Sequence, residues 1–348
     1  MADVVFAIPG ELSTRTGGYG YDRRVLALLP ACGLSAWHLE LPCTFPTPSQ
    51  ADLELTHRLF EAAPPGCVLL VDGLAYGVLS PAFITGLGRP TVPIVHHPLC
   101  FEGGLAAERR SDLFGSERAA LACAARVVVT SRRTRRTLVQ HFEVPDAKIA
   151  VAEPGTDAAP RASGTGSPIQ ILSVGSVVPH KGFDILIEAL APLRDLDWQL
   201  TIAGHLDRSP ATVVAVRAAI NAARLERRVT LTGSLRDAAL AKLYAAADLF
   251  VFPSLLEGYG MVLAEAMARG LPVVCTTGCA AAESMPEDSL VQVPAGNAEA
   301  LSAALAELIG QGEKRAALAE ASWAAAQTLP RWHTTAQRIA AVLCELRS

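Results

Sequence analysis

Short runs of apolar residues recur along the chain and alternate with longer stretches whose apolar positions return every three or four residues. Apolar runs too short for a helix and bounded by turn residues read as buried strands, and the longer period reads as amphipathic helix. Strands are predicted at 4–8, 36–41, 67–71, 92–95, 127–130 and 149–151, and again at 169–174, 199–203, 229–232, 249–252, 272–275 and 290–293. Strands alternating with helices predict the α/β class with parallel sheets. Between the two series, residues 153–168 have the Gly, Pro and Ser content of a linker. The expectation is two doubly wound, Rossmann-like domains at 1–155 and 168–328, joined through 156–167 and facing each other across a cleft. Leu329-Pro330-Arg331-Trp332 opens a last helix after a proline break, so 329–348 forms a C-terminal segment of its own.

Composition narrows what such an architecture can do. With 51% apolar and 18% charged residues, the chain can bury sizeable cores. A net charge of −4 argues against nucleic acid as a partner, because a nucleic-acid binder normally carries a basic domain. The segment Met1 to Pro9 has no basic start and too short an apolar run for a secretion signal. Charges interrupt the Ala-rich C-terminal third before it reaches a membrane-spanning length. The eight cysteines show no Cys-x2-Cys pair and no zinc spacing, which fits buried thiols in a reducing compartment. A cytoplasmic protein is expected, with no metal and no bound cofactor, and with at most peripheral membrane contact.

In open α/β sheets ligands bind beyond the carboxyl ends of the strands, so the residues just after each strand are the candidates. The richest segment follows the strand at 249–252 and reads Pro253-Ser254-Leu255-Leu256-Glu257-Gly258-Tyr259-Gly260-Met261-Val262, with Glu265 in the helix behind it. Glycines let backbone amides approach a ligand, and a helix start favours an anion. Two carboxylates flanking such a nest suit a ligand with phosphates in the middle and hydroxyls at both ends, the form of a nucleoside diphosphate sugar. The helix is expected to stop at Gly270, with Pro272 beyond.

The spacing Glu257-x7-Glu265 within Pro-Ser-x-x-Glu-Gly-Tyr-Gly resembles the signature of the retaining, nucleotide-sugar-dependent glycosyltransferases with the GT-B fold, of the family 4 or group 1 type. The resemblance runs over nearly the whole chain and is most specific across 170–296. It implies that Glu257 lies at the donor sugar and that the backbone of Gly258, Tyr259, Gly260, Met261 and Val262 holds sugar and phosphates. It further implies that Glu265 binds the ribose hydroxyls and that the last helix returns to the N-terminal domain, with Trp332 as its anchor.

A second constellation is Gly175-Ser176-Val177-Val178-Pro179-His180-Lys181-Gly182, between a strand end and a helix start. The chain has only four lysines, so Lys181 at such a junction stands out as a point charge for a diphosphate. The segment resembles the family loop Gly-Arg-x4-Lys-Gly, with Ser176 in the arginine's place and His180 as its candidate substitute. Gly175, Ser176, Gly233 and Ser254 complete the expected donor-binding set on this side. The Gly17-Gly18 pair, expected after the first strand and just before a helix, resembles the family's N-terminal glycine loop, which faces the donor phosphates from the other domain.

His96 and His97 end the strand at 92–95, where side chains alternate in direction, so one is expected to face the cleft and the other to pack sideways. The family has a histidine near the reacting sugar here, and His97 aligns slightly better. Asp195-Leu196-Asp197 imitates a metal-binding Asp-x-Asp, but it precedes a strand and reads as a turn away from the cleft. Arg132, Arg133, Arg135 and Arg136 crowd one helix and read as a solvated face, with an anionic acceptor or membrane surface as the functional alternative.

The resemblance thus implies a retaining, metal-independent hexosyltransferase that uses a UDP- or GDP-sugar. Its acceptor would be a hydroxyl on a glycan, a lipid-linked glycan or a small molecule. Expected catalytic residues are His96, His97, Glu257 and Lys181. Two other readings stay open at this point. One is another two-domain nucleotide-sugar enzyme, such as a 2-epimerase. The other is a non-catalytic nucleotide-sugar binder, which the serine at position 176 keeps in play.

Overall fold

The computed structural model describes residues 3–347. Met1, Ala2 and Ser348, which the expected domain ranges include, lie outside the described residues. The chain divides into two compact units, one built from the residues up to Gly155 together with those from Pro330 onward, the other from Thr156–Leu329. No helix among the described residues is long and apolar enough to cross a membrane.

The first unit holds a six-stranded parallel sheet of β1 (Val4–Pro9), β2 (Ala36–Leu41), β3 (Val68–Asp72), β4 (Thr91–Val95), β5 (Val127–Val129) and β6 (Ile149–Val151). Its order is β2-β1-β3-β4-β5-β6. The second unit holds β7 (Ile169–Val174), β8 (Trp198–Ala203), β9 (Val229–Gly233), β10 (Leu249–Phe252), β11 (Val273–Thr276) and β12 (Val291–Val293), in the order β12-β11-β10-β7-β8-β9. Helices cover both faces, which is why central strands such as β1, β3 and β10 are apolar at nearly every position and buried throughout. Each predicted strand is present, with ends shifted by at most one residue. Both units are Rossmann-like.

Strand order fixes where each unit can take a ligand. In a doubly wound sheet the crevice opens where successive strands leave in opposite directions. That point lies between β1 and β3 in the first sheet and between β10 and β7 in the second.

The last helix, Trp332–Cys344, belongs to the first unit. The Trp332 ring meets Tyr21 edge-on at 5.8 Å, and the Thr335 hydroxyl donates to the Glu153 carbonyl at 2.7 Å. Gly155 admits this approach, since a Cβ there would lie 2.2 Å from the Trp332 nitrogen. The segment 156–167 forms no helix or strand, yet it is held against the second unit. Ala162 N–H donates to the Arg269 carbonyl at 2.8 Å, and the amides of Thr165 and Gly166 donate to the Asp248 carboxylate at 3.0 and 2.9 Å.

One local expectation is corrected. Gly17 and Gly18 do not precede a helix but form its first two residues, in the helix Gly17–Leu28. Thr16 sets this start: its backbone is extended and its hydroxyl accepts the Tyr19 N–H, so the capping residue lies one position earlier than the glycines suggested.

Candidate functional site

At the second unit's switch point, the loop after β7 and the loop after β10 bring two predicted residues together. Lys181 ends a 3-10 turn, Pro179–Lys181, and its Nζ bonds directly to the Glu257 carboxylate. The Ser254 hydroxyl lies 3.4 Å from the same carboxylate oxygen, and the ammonium sits 5.3 Å from the centre of the Phe252 ring. Both partners are largely buried, with 15% of the lysine and 21% of the glutamate side chain exposed. Desolvation at this depth makes an unpartnered charge costly, so in the free protein each neutralises the other.

Glycines let the two loops meet. Gly182 has φ +64, and a Cβ there would lie 2.4 Å from the Pro253 carbonyl oxygen. Gly260, at φ +102, caps the helix Met261–Met267, and a Cβ there would strike the Cys279 sulfur at 2.7 Å. The Leu255 N–H donates to the His180 carbonyl at 2.7 Å, tying one loop to the other. Gly204 and Gly278, which sequence reasoning missed, do similar work: a Cβ at either would overlap the Gly175 or Ser254 carbonyl.

The remaining predicted residues spread around this point. Gly258 and Tyr259 lie in the β10 loop, with Tyr259 buried and its carbonyl accepting from Ala281 N–H at 2.8 Å. Met261 and Val262 begin the short helix that carries Glu265. The Glu265 carboxylate accepts the Tyr244 hydroxyl at 3.1 Å, and burial raises its pKa against the pull of that bond and of Arg269. Arg269 holds the Glu265 carbonyl at 2.8 Å and lies 4.4 Å over the Tyr244 ring. Neither Tyr244 nor Arg269 had a signal in the sequence beyond helix spacing. Gly175 and Ser176 follow β7, and a Cβ on Gly175 would contact the Lys181 stem at 3.5 Å. Gly233 ends the edge strand β9 at φ +74, its carbonyl accepting the Gly204 N–H. Asp197 lies in the turn before β8 and accepts the Ser167 hydroxyl at 2.8 Å.

In the first unit the two histidines separate. His97 turns outward and pairs with Glu102 at 2.9 Å. His96 turns toward the switch point, where its Nε2 lies 3.4 Å from an Asp22 oxygen and 3.7 Å from an Asp72 oxygen. Asp72 ends β3, and its other oxygen caps the helix Gly73–Tyr76 by accepting the Leu74 N–H at 2.7 Å. Asp22 comes from the helix Gly17–Leu28 and is fully buried. Burial and the neighbouring Asp72 push the Asp22 pKa up. Burial opposes charge on His96, but the two carboxylates outweigh it and push its pKa up to about 10. These three side chains are the one group of metal-ligand type found close together among the described residues. The imidazole already stands between the carboxylates, so a proton on the ring offsets one of their two charges. Gly18 packs on the ring, a Cβ there lying 3.4 Å from it.

On the flank of the same unit a cavity of about 540 Å³ is lined by Arg132, Arg135, Arg136, Asp146, Glu153 and Arg338, among others. The Arg135 fork grips Asp146, at 2.6 Å through Nε, so part of the predicted solvated face is an ion-paired wall.

The sequence model of "Glycosyl transferases group 1" matches residues 155–323, and that of "Glycosyltransferase Family 4" matches residues 52–159. The chain belongs to this glycosyltransferase family. Among curated relatives, the chain is 27% identical over 236 residues to D-inositol 3-phosphate glycosyltransferase of Corynebacterium glutamicum, covering 62% of this chain and 56% of that protein. It is 33% identical over 112 residues to mannosylfructose-phosphate synthase of Agrobacterium fabrum, covering 30% of this chain and 25% of that one. The matches thus span about half or less of these relatives' length. Among solved structures, sucrose-phosphate synthase of Thermosynechococcus elongatus has a TM-score of 0.81 at 21% identity, with 98% of both chains covered. Anabaena HepE in complex with UDP-glucose has a TM-score of 0.78 at 19% identity, covering 98% of this chain and all of that one. These likenesses show that the chain has the GT-B type of fold.

Proposed function

We propose that the chain transfers a hexosyl group from a nucleoside diphosphate sugar to a hydroxyl acceptor, with the donor held by the second unit. One observation carries this reading: the Lys181 ammonium and the Glu257 carboxylate meet at the crevice between β10 and β7. The solved relative with UDP-glucose bound supports a nucleotide sugar as donor.

In this reading the diphosphate draws Lys181 away from Glu257, and backbone amides of Gly258 through Val262 complete its binding. The lysine then meets negative charge that grows on the leaving phosphate, so it stabilises the transition state more than the ground state. Glu257, released from the ion pair, orients the sugar. Glu265 accepts ribose hydroxyls while Tyr244 fixes its carboxylate. Retention of configuration and independence of metal belong to the proposal on the strength of the family resemblance. The first unit carries the acceptor side.

The test is nucleotide release from UDP- and GDP-hexoses, with and without candidate acceptors, in the presence of EDTA. Acceptor-dependent release of one nucleoside diphosphate supports the reading. Conversion of the donor alone to an epimer, or nucleotide binding without turnover in any pairing, contradicts it.

A further inference from the structure

Asp22 and Asp72 take no part in the proposed donor site, and their surroundings pose a problem of charge. Asp22 is fully buried, and neither of its oxygens has a hydrogen-bond partner of good geometry. Asp72 is 3% exposed and spends one oxygen on the helix cap. The second oxygen of Asp72 and an oxygen of Asp22 both face the same nitrogen, Nε2 of His96, which is itself buried without a conventional hydrogen bond. Two carboxylates around one nitrogen at 3.4 and 3.7 Å leave few tolerable protonation states. If Nε2 carried a lone pair, it would point at two acceptors. If the ring were neutral with a proton on Nε2, two buried anions would share one neutral donor. A positive ring offsets one anion, and a further proton on Asp22 removes the other.

The same arrangement decides which way the ring can act. Tyr21 meets His96 edge-on at 5.3 Å, with its own hydroxyl committed to the Ala152 carbonyl at 2.8 Å. Thr130 and Thr134 donate to the His96 carbonyl at 3.1 and 3.4 Å, which fixes the backbone at this turn. The groups that set the ring's charge are therefore Asp22 and Asp72, with Tyr21 beside them and Arg338 acting on Tyr21. Nε2 is committed inward. With 22% of the side chain exposed and Nε2 buried, a ligand would meet the ring away from Nε2.

We propose that Asp22 and Asp72 are positioning residues that hold His96 as an imidazolium, so that at the first unit's switch point it acts as a fixed hydrogen-bond donor to a ligand oxygen and not as the base that removes a proton from the acceptor hydroxyl. The proposal rests on the glycosyltransferase reading only for what the ligand is. The location follows from strand order, since Asp22 follows β1, Asp72 ends β3, and the crevice opens between those two strands. An imidazolium has no lone pair to accept a proton, whereas a base needs a pKa near the working pH.

The test reads the ring itself, in the intact chain, by NMR of ring-labelled histidine with the His96 signal assigned from a His96→Gln variant. In the wild type the His96 signal should show no titration between roughly pH 5.5 and 8.5, where a free histidine titrates. Asp72→Asn keeps the helix cap, because asparagine caps as well as aspartate, yet removes one charge. It should lower the His96 midpoint by about two units or more, the scale of a lost close charge in a buried site. Donor turnover by Asp72→Asn should then fall as pH rises through the new midpoint, and His96→Asn, whose amide nitrogen takes the place of the ring nitrogen away from the carboxylates, should retain more kcat than His96→Ala. A wild-type His96 midpoint below about 8.5 overturns the proposal. So does a bound divalent ion whose removal by EDTA shifts the His96 signal. If Asp22→Asn does not fold, Asp72→Asn still decides. Should His96 behave as expected while no nucleotide sugar is turned over, the functional reading fails and the imidazolium stands.

Discussion

The Lys181 ammonium is bonded to the Glu257 carboxylate in the free protein, although the two residues lie 76 positions apart in the chain. The lysine's charge is thus stored on an internal partner, and in the proposed function an incoming diphosphate must compete for it. This competition gives the two substitutions opposite effects on binding.

Lys181→Ala should reduce nucleotide-sugar turnover to near background and weaken nucleoside diphosphate binding. Glu257→Gln should also lower turnover, yet leave nucleoside diphosphate affinity unchanged or raised, because the lysine is no longer held. Paired measurements of kcat and of UDP or GDP affinity on both variants check this. Loss of affinity in Glu257→Gln equal to that in Lys181→Ala would count against the exchange.

Glu265→Ala should weaken nucleoside diphosphate binding about tenfold or more, given about 1.5–3 kcal/mol for a hydrogen bond involving a charged group. Tyr244→Phe removes the hydroxyl that fixes this carboxylate at 3.1 Å and should cost less. Burial raises the Glu265 pKa, and a carboxylate accepts hydroxyls best when ionised. Affinity should therefore fall as the solution is acidified, and the fall should vanish in Glu265→Ala. Calorimetric titrations across pH measure both effects.

Glu117 gives a stability prediction independent of function. It is 1% exposed, accepts the Leu99 N–H at 2.9 Å, and burial pushes its pKa from the usual 4.5 up to about 8. Between these values the folded chain keeps a proton that the unfolded chain has lost. The stability this proton confers is fully present below about 4.5 and is lost as pH rises to about 8. The slope is at most about 1.4 kcal/mol per pH unit. Glu117→Gln cannot titrate, so its Tm relative to wild type should climb steadily from about pH 5 to pH 8, the window set by the two pKa values. A constant difference in Tm would show that Glu117 is ionised in the fold.

The strands were legible because a doubly wound sheet buries both faces, so Val4-Val5-Phe6-Ala7-Ile8 and Leu249-Phe250-Val251-Phe252 carry a signal that no helix of that length gives. Loops at strand ends were legible for a different reason: Gly182 and Gly260 need positive φ and close packing, which leave glycine in the sequence. What could not be read were pairs made across the sheet. Asp72 follows the strand-end rule and could have been picked out by it, but Asp22 sits in a helix among arginines and tyrosines, where nothing local marks it as buried. The division of labour between His96 and His97 was equally hidden, because it depends on Asp22 and Asp72 drawing one ring inward and Glu102 drawing the other out.

In the proposed function the second unit holds a nucleotide sugar by its diphosphate at Lys181 and by its ribose at Glu265. Calorimetric titration of UDP and GDP into wild type, Lys181→Ala and Glu265→Ala tests it most directly, since no acceptor is needed. One of the two nucleotides should bind the wild type without added metal, and each folded variant should bind it about tenfold or more weakly, the scale of one charged hydrogen bond. Binding of equal strength to all three proteins, or binding of neither nucleotide to the wild type, would contradict it.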